Sequence, residues 1–348
     1  MNNMNTKIFE IDKNNIDAGK IREAAALLQQ GGLVAFPTET VYGLGGNALS
    51  GNTVKKIFTA KGRPGDNPLI VHIHSFDQLH SLVEDVPEEA KILAERFWPG
   101  PLTMIFKAKS IVPVNVTGGL NTVGIRMPSD PVALELLKAT GLPIAAPSAN
   151  ISGRPSPTQG KHVVEDLSNK IDGIIISSDS AIGIESTVLD ITVKPALILR
   201  PGSISIDEIR KLIPVEYENT SSVIKPRSPG TKYRHYAPNC ELYVVKGTME
   251  EKVKKIENIL VNLKSRKAGL LISSELMEKL SRKEFPNIIV KIAGSTGSPQ
   301  KIISGLYRNL REFDSEKTEI IYMEDIPEEI SGKAYQNRTE KASGGKSL

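Results

Sequence analysis

The arrangement of apolar and polar positions changes once along the chain. Up to residue 213, short apolar runs that suit buried strands alternate with helical segments, and several of these strands lead into loops rich in Gly, Pro and hydroxyl side chains. From residue 239 onward, strand and helix patterns alternate regularly, which is typical of a small α/β domain with a mostly parallel sheet. The pattern predicts a domain at 1–213, an irregular linker at 214–238 and a second domain at 239–348.

Periodicity and the residues that flank each segment predict the individual elements. We expect helices at 21–30, 52–60, 76–83, 87–97, 130–140, 250–264, 274–285 and 299–313. We expect strands at 33–36, 69–73, 102–107, 123–127, 144–146, 174–176, 186–191, 196–199, 242–245, 269–272, 288–291 and 320–323. The predicted fold class is α/β.

A stiff basic loop precedes the predicted strand at 69–73. Lys61 and Arg63 flank a glycine, and two prolines between 64 and 68 restrict the backbone. Two cations this close together can converge on one phosphate or carboxylate, because Arg offers a planar fork and Lys a mobile point charge. The alternative is a solvated surface turn, since Lys and Arg beside Gly and Pro occur in many loops.

Two more loops follow strand ends and carry polar side chains. Residues 37–46 combine three hydroxyls, one carboxylate and three glycines, and residues 147–158 contain Ser148 and Asn150. We expect site loops here, the second supplying donors to phosphate or ribose, although structural turns with satisfied hydroxyls would look similar. Ser148 is not in a GxSxG elbow and has no nearby His, so we do not expect a serine nucleophile.

Strands themselves carry further candidate residues. His72 and His74 share one side of a strand, but no carboxylate or third His is close in sequence, so we expect His72 to contact substrate rather than zinc. Arg126 is either an edge cation or a site residue. Arg200 adds a cation at another strand end.

Composition narrows the classes of function. The chain has 348 residues, 39% hydrophobic and 24% charged, with a net charge of +4, which describes an ordinary protein of about two domains and gives no reason to require nucleic acid as a partner. The single cysteine, Cys240, rules out an intramolecular disulfide. With no apolar run of about 18 residues and no signal-like start, we expect a cytoplasmic protein without a membrane segment.

Two apparent motifs do not fit their contexts. Gly43, Gly45 and Ala48 match a GxGxxA pattern, but six residues separate Gly43 from the preceding strand, so a dinucleotide site is not expected. Residues 345–347 imitate the end of a P-loop, yet Glu340 stands where its first glycine belongs.

Taken together, these residues resemble a known family. The resemblance is carried by Lys61, Arg63, Ser148 and Asn150, by loops 37–44 and 147–150, and by Lys-Tyr-Arg-His-Tyr-Ala-Pro at 232–238. The pattern is similar to threonylcarbamoyl-AMP synthases of the long two-domain form. It implies a twisted YrdC-like α/β sheet domain followed by a smaller Rossmann-like parallel α/β domain.

The resemblance also implies roles for residues. The catalytic set would be Lys61, Arg63, Ser148 and Asn150. ATP would be held by Arg63, Asn67, Thr122, Ser148, Ser156, Arg200 and Tyr233. L-threonine would be held by Thr40, His72, Arg126, Ala146 and Ser186. No metal ligand from protein side chains is expected.

The implied reaction joins L-threonine, bicarbonate and ATP, with Mg²⁺, into threonylcarbamoyl-AMP and pyrophosphate, for a downstream transferase that modifies a tRNA adenosine. The linker at 214–238 would act as a lid over the filled site, with Tyr233 touching the nucleotide. The alternative is an ordered strap between the domains that packs on the surface and does not contact the ligand. Two alternatives use the same features: an RNA-binding protein with a basic cavity, and an O-carbamoyltransferase. The nearly neutral charge of both halves weighs against the first, and the absence of zinc-finger or acylphosphatase-like segments in the sequence weighs against the second.

Overall fold

The computed structural model describes residues 5–218, 235–263, 266–281 and 287–348. The chain divides into two compact units, each with its own sheet. Unit 1 comprises Met1–Ser152, Ser156–Ala181 and Glu185–Tyr233. Unit 2 comprises Gly153–Pro155, Ile182–Ile184 and Arg234–Leu348.

Unit 1 is built on one mixed sheet. Its strands are β1 (Lys7–Glu10), β2 (Val34–Phe36), β3 (Gly43–Asn47), β4 (Ile70–His72), β5 (Leu102–Lys107), β6 (Thr122–Arg126), β7 (Ile144–Ala145), β8 (Gly173–Ile176), β9 (Thr187–Asp190), β10 (Ala196–Arg200) and β11 (Val215–Tyr217). They lie in the order β1-β8-β2-β3-β7-β4-β6-β5-β9-β10-β11. In the middle of the sheet, β4 is parallel to β6 and antiparallel to β7.

The helices of unit 1 begin and end at recognisable caps. They are α1 (Ala18–Gln29), α2 (Gly51–Lys61), a 3-10 turn (Phe76–Gln78), α3 (Leu79–Leu82), α4 (Glu88–Phe97), α5 (Val114–Thr117), α6 (Pro131–Thr140), α7 (Gly160–Leu167) and α8 (Ile206–Arg210). Asp17 and Asp130 each accept two backbone N–H groups at the start of α1 and α6. Gly62 and Gly141, both left-handed, end α2 and α6.

Strand alternation gives the middle of this sheet two different faces. Val71, Val123 and Ile125 belong to the main hydrophobic core of unit 1. A Cβ added to Gly124 would lie 3.2 Å from Thr103 Cγ2, so Thr103 shares the opposite face with Gly124. We call that opposite face of β4 and β6 the site face, and its residues are Ile70, His72, Thr122, Gly124 and Arg126.

Unit 2 is a smaller parallel α/β fold, as predicted. Its strands are β12 (Glu241–Val245), β13 (Ala268–Ser273), β14 (Ile288–Gly294) and β15 (Ile320–Glu324), in the order β12-β15-β13-β14. All three strand pairs are parallel. Its helices are α9 (Met249–Asn262), α10 (Ser274–Lys279), α11 (Pro299–Ser315) and α12 (Glu328–Ser343).

Two tripeptides from the first half of the sequence are part of unit 2. In Gly153–Pro155, the Gly153 carbonyl accepts from Ala237 N at 3.0 Å and the Pro155 carbonyl accepts from Arg311 Nε at 2.9 Å. In Ile182–Ile184, a Cβ added to Gly183 would lie 2.5 Å from Ser304 Cα, so the two backbones are in close contact.

Several elements differ from the predicted ones, and β1, α5, α7 and α8 were not predicted. Val215–Tyr217 forms β11, parallel to β10, where an irregular linker was expected. Gly43–Asn47 forms β3 instead of a loop, because its glycines permit close packing: a Cβ added to Gly45 would lie 2.7 Å from Phe36 Cε1. Helix α12 was not predicted, because the residues that it buries are mostly small or polar and leave no apolar stripe.

Candidate active site

The two polar loops predicted from the sequence lie against each other. Leu44 N donates to the Pro147 carbonyl and Ala149 N donates to the Tyr42 carbonyl, both at 2.8 Å. An isolated antiparallel bridge at Ser148 lies between these two contacts. The hydrogen bonds join segments more than 100 residues apart, so the loops form one continuous surface beside β4 and β7.

Lys61 supports this surface through backbone carbonyls. It is 2% exposed, and its Nζ donates to the Asn150 carbonyl at 2.6 Å and to the Ser148 carbonyl. Its own carbonyl accepts from Ser152 N at 2.9 Å. The expectation that Lys61 belongs to an exposed loop is wrong, because α2 continues through Lys61 and the turn begins only at Gly62.

Arg63 and Asn67 lie in the turn between α2 and β4. Arg63 is half-buried, with its guanidinium carbon 5.9 Å from the centre of the Phe58 ring. Asn67 is fully buried, and neither atom of its side-chain amide has a hydrogen-bond partner within the part of the chain that the structure describes. A buried amide without a partner costs stability, which makes Asn67 a candidate for ligand contact.

Most of the remaining candidate site residues lie on or beside the strands of the site face. His72 stands opposite Arg126 in the parallel pair of β4 and β6, and Thr122 lies at the other end of β6. Ala146 N donates to the Ile70 carbonyl at 2.9 Å, and β7 is antiparallel to β4, so the second polar loop leaves the sheet beside the start of β4. His72 and Arg126 thus lie at one end of the site face, whereas Ala146 lies beside Ile70 and Thr122 lies towards Asn67.

Arg126 is not an edge cation, because β6 lies inside the sheet between β4 and β5. Its side chain is 4% exposed. Nη1 donates to Thr40 Oγ1 at 2.8 Å, Nε donates to the Gly100 carbonyl at 3.2 Å, and Nη2 lies 2.6 Å from Glu39 Oε2. The guanidinium is therefore fixed in plane and paired with a carboxylate.

His72 is a neutral imidazole at physiological pH. Burial, and next the positive charge of Arg126, lower its pKa to about 3. Its ring meets Phe36 edge-on at 6.2 Å, and Nδ1 has no hydrogen-bond partner among the described residues. Those residues also contain no group of three or more His, Cys, Asp or Glu that would hold a metal ion. His72 therefore suits a neutral hydrogen bond to a ligand.

A chain of hydrogen bonds extends the site across β5, β9 and β10. Thr103 Oγ1 and Ser186 Oγ are 2.8 Å apart, and Arg200 Nη2 donates to Ser186 Oγ at 3.1 Å and to the Ser186 carbonyl at 3.0 Å. Met104 stands opposite Ile125, so Thr103 occupies the register position beside Arg126. Ser186 and Arg200, predicted for different ligands, thus contact each other.

Ser156 is buried and donates to Glu185 Oε1 at 2.6 Å. Tyr233 and the rest of 219–234 lie outside the described residues. Sequence reasoning assigned no role to Glu39, Thr103 or Glu185. A signal existed for Thr103, which interrupts an apolar strand, and for Glu39, which is the only carboxylate in loop 37–46.

Two protein-family models match this chain. A family model described as telomere recombination, that of the Sua5, YciO and YrdC proteins, matches residues 26–202. A second model, described as the C-terminal domain of threonylcarbamoyl-AMP synthase, matches residues 204–344.

The described helices include none long and apolar enough to cross a membrane.

Individual relatives match over almost the whole length. The threonylcarbamoyl-AMP synthase of Pyrococcus abyssi is 46% identical over 95% of this chain and 96% of its own, and that of Bacillus subtilis is 44% identical over 94% of each. A crystal structure of P. abyssi Sua5 complexed with L-threonine has a TM-score of 0.91 at 44% identity, over 99% of both chains. E. coli YciO, at 23% identity and a TM-score of 0.53, shares the fold of 59% of this chain.

Proposed function

The chain belongs to the threonylcarbamoyl-AMP synthase family, and we propose that it forms threonylcarbamoyl-AMP and pyrophosphate from L-threonine, bicarbonate and ATP. The product would serve the threonylcarbamoyl modification of a tRNA adenosine by a downstream transferase. The observation that carries the proposal is the site face, where the fixed cation Arg126 lies opposite His72, whose Nδ1 has no partner among the described residues. The threonine carboxylate, bicarbonate and the triphosphate are all anionic groups, and binding them requires cations and hydrogen-bond donors.

The threonine pocket would lie at the Arg126 end of the site face. Thr40, His72, Arg126, Ala146 and Ser186 would form it, and two contacts support this grouping: Arg126 donates to Thr40, and Ser186 is linked through Thr103 to the register position beside Arg126. Neutral His72 would offer a hydrogen bond without adding charge.

The nucleotide would lie along the loops beside Ser148. Arg63, Asn67, Thr122, Ser148, Ser156, Arg200 and Tyr233 would contact it. The buried amide of Asn67 supports this placement because a ligand would supply its missing partners. Lys61 would act chiefly by holding the backbone of Ser148 and Asn150 in place.

The chemistry asks for positioning and charge stabilisation more than for a protein nucleophile. Threonine's amine would attack bicarbonate, releasing water, and an oxygen of the resulting carbamate would attack the α-phosphorus of ATP, releasing pyrophosphate. Arg63 would stabilise the charge that develops on the phosphates.

Mg²⁺ would enter with ATP. Magnesium in nucleotide sites is commonly held by phosphate oxygens, water and only one or two carboxylates. We propose that the phosphates of ATP and water would supply most of its ligands.

Two further predictions belong to this proposal. A cytoplasmic location fits the tRNA-directed product. The part of the predicted linker that follows β11 would act as a lid that excludes water from the adenylate, so Tyr233→Ala should release more adenylate into solution.

The deciding experiment measures pyrophosphate release by the full chain. We expect release from ATP only when L-threonine and bicarbonate are both present, and no change when RNA is added. RNA-dependent release would favour the nucleic-acid alternative, and release with carbamoyl phosphate in place of bicarbonate and threonine would favour an O-carbamoyltransferase. Serine and valine should be poor substrates, because a pocket that hydrogen-bonds a hydroxyl and fits a methyl group discriminates against both.

A further inference from the structure

Glu39 is a largely buried carboxylate beside Arg126 in the proposed threonine pocket. Its side chain is 10% exposed, and Oε2 lies 2.6 Å from Arg126 Nη2. Oε1 is buried and has no hydrogen-bond partner among the described residues. A carboxylate oxygen left unpaired in the interior is costly, so the site stores an unused acceptor beside its main cation.

Arg126 does not depend on Glu39 for its orientation. Its Nε is held by the Gly100 carbonyl at 3.2 Å and its Nη1 by Thr40 Oγ1 at 2.8 Å. Both contacts remain if Glu39 turns away. The Arg126–Glu39 contact is therefore the one part of this arrangement that can open without losing the guanidinium's position.

We propose that L-threonine binds by entering the Arg126–Glu39 ion pair, with its carboxylate on Arg126 and its ammonium on Glu39. This inference rests on the proposed threonine site and adds Glu39 to it as a specificity-determining residue. Of the residues assigned to threonine, Thr40, His72, Ala146 and Ser186 are neutral and Arg126 is cationic, so Glu39 supplies the one negative charge.

Charge balance favours this arrangement. Opening a buried ion pair is costly when a charge is left alone, but a zwitterion presents one charge to each partner and leaves the net charge of the pocket unchanged. Binding would replace the Arg126–Glu39 ion pair with two ion pairs to the ligand, and Glu39 Oε1 would gain a hydrogen-bond donor. A ligand with only a carboxylate or only an ammonium leaves one of the two protein charges without a partner.

The test compares three ligands by isothermal titration with the full chain. L-threonine carries both charges, threoninol lacks the carboxylate, and 3-hydroxybutyrate lacks the ammonium. Glu39→Gln should weaken threonine and threoninol by about 10- to 100-fold, the range for a lost charged hydrogen bond. The same variant should bind 3-hydroxybutyrate as well as or better than the wild type, because its carboxylate no longer competes with Glu39 for Arg126.

Glu23→Gln, which removes a surface carboxylate paired with Lys7, is the matched control and should change none of the three affinities. If Glu39→Gln does not fold, Glu39→Asp keeps the charge at shorter reach and should weaken threonine about threefold or more while sparing 3-hydroxybutyrate. Equal weakening of all three ligands would show that Glu39 only orders the pocket and would overturn the inference. A wild-type chain that fails to bind threonine would instead overturn the proposed function.

Discussion

The strand ends of unit 2 and the site face of unit 1 differ in how their buried polar groups are paired. At the carboxyl ends of the strands in unit 2, Glu324 Oε2 accepts from Ser273 N at 2.7 Å and its other oxygen lies 3.6 Å from Lys252 Nζ. On and beside the site face of unit 1, Asn67, His72 and Glu39 keep buried polar atoms that have no partner among the described residues. A buried polar group with a hydrogen-bond partner stabilises the fold, whereas one without a partner can serve as a contact for a ligand.

The strand order of unit 2 contains a position at which many parallel sheets bind ligands. Parallel α/β sheets commonly bind ligands outside the carboxyl ends of their strands, where the strand order reverses. In unit 2 the order β12-β15-β13-β14 creates such a point between β15 and β13. The Lys252–Glu324 pair lies there, so the protein's own side chains occupy the position that a ligand would take in a related sheet.

The largest effects should come from the two buried lysines. Lys61→Met removes a donor from two carbonyls and should lower the unfolding free energy by roughly 2 to 4 kcal/mol. Lys252→Met leaves the buried Glu324 carboxylate without its cation and should lower the unfolding free energy by about 3 to 5 kcal/mol. In protein that remains folded, pyrophosphate release should fall about 100-fold for Lys61→Met only. Similar losses of release in both variants would remove the distinction between the sheets.

A smaller effect concerns His72 and pH. The unfolded chain protonates this His below its ordinary pKa of 6.5, whereas the folded protein resists protonation down to about pH 3, so stability falls as pH falls through this window. His72 contributes up to about 1.4 kcal/mol per pH unit to that fall. In the His72→Gln variant, the unfolding free energy should change less between pH 6.5 and 5 than it does in the wild type. The surface variant His80→Gln should retain the wild-type slope, and an unchanged slope in His72→Gln would contradict the assignment.

Asn67 offers a gain in stability at the expense of function. Asn67→Leu replaces an unpaired buried amide with an apolar group of similar size and should raise the unfolding free energy by about 1 kcal/mol. ATP should bind at least about tenfold more weakly, as calorimetry would show. Asn115→Leu is the control, because Asn115 donates to the Gly51 carbonyl at 2.8 Å and its loss should destabilise the protein without affecting ATP. A destabilised Asn67→Leu would indicate a structural amide.

The smallest effect is expected at Glu275 in unit 2. Hydrogen bonds led by that from Ser295 lower its pKa to about 2, and Thr296 donates to the same oxygen. Glu275→Gln keeps an acceptor there, so the unfolding free energy at pH 7 should fall by no more than about 1 kcal/mol. Pyrophosphate release should be unchanged, and a clear loss of release would assign a functional role to this end of the second sheet.

Part of this site was accessible from the sequence. Strand ends followed by hydroxyls and amides predicted the two polar loops, because such loops gather at one edge of a sheet. The pairing of Glu39 with Arg126 spans 87 positions and depends on which strands are neighbours, which local patterns do not encode. The burial of Lys61 was missed for a related reason: the glycine and prolines after it indicated a turn, but the carbonyls that cover its ammonium lie near residue 150.

Unit 2 is formed from three separate stretches of the chain, which limits how the protein can be divided. Shortening the chain at residue 213 keeps Gly153–Pro155 and Ile182–Ile184 but removes Arg311 and Ser304, the residues that contact them. The first tripeptide lies between Asn150 and Ser156, so a truncated protein would lose contacts within the loop at 147–158. Replacing unit 2 with that of a relative would therefore require exchanging all three of its segments and not only the C-terminal one.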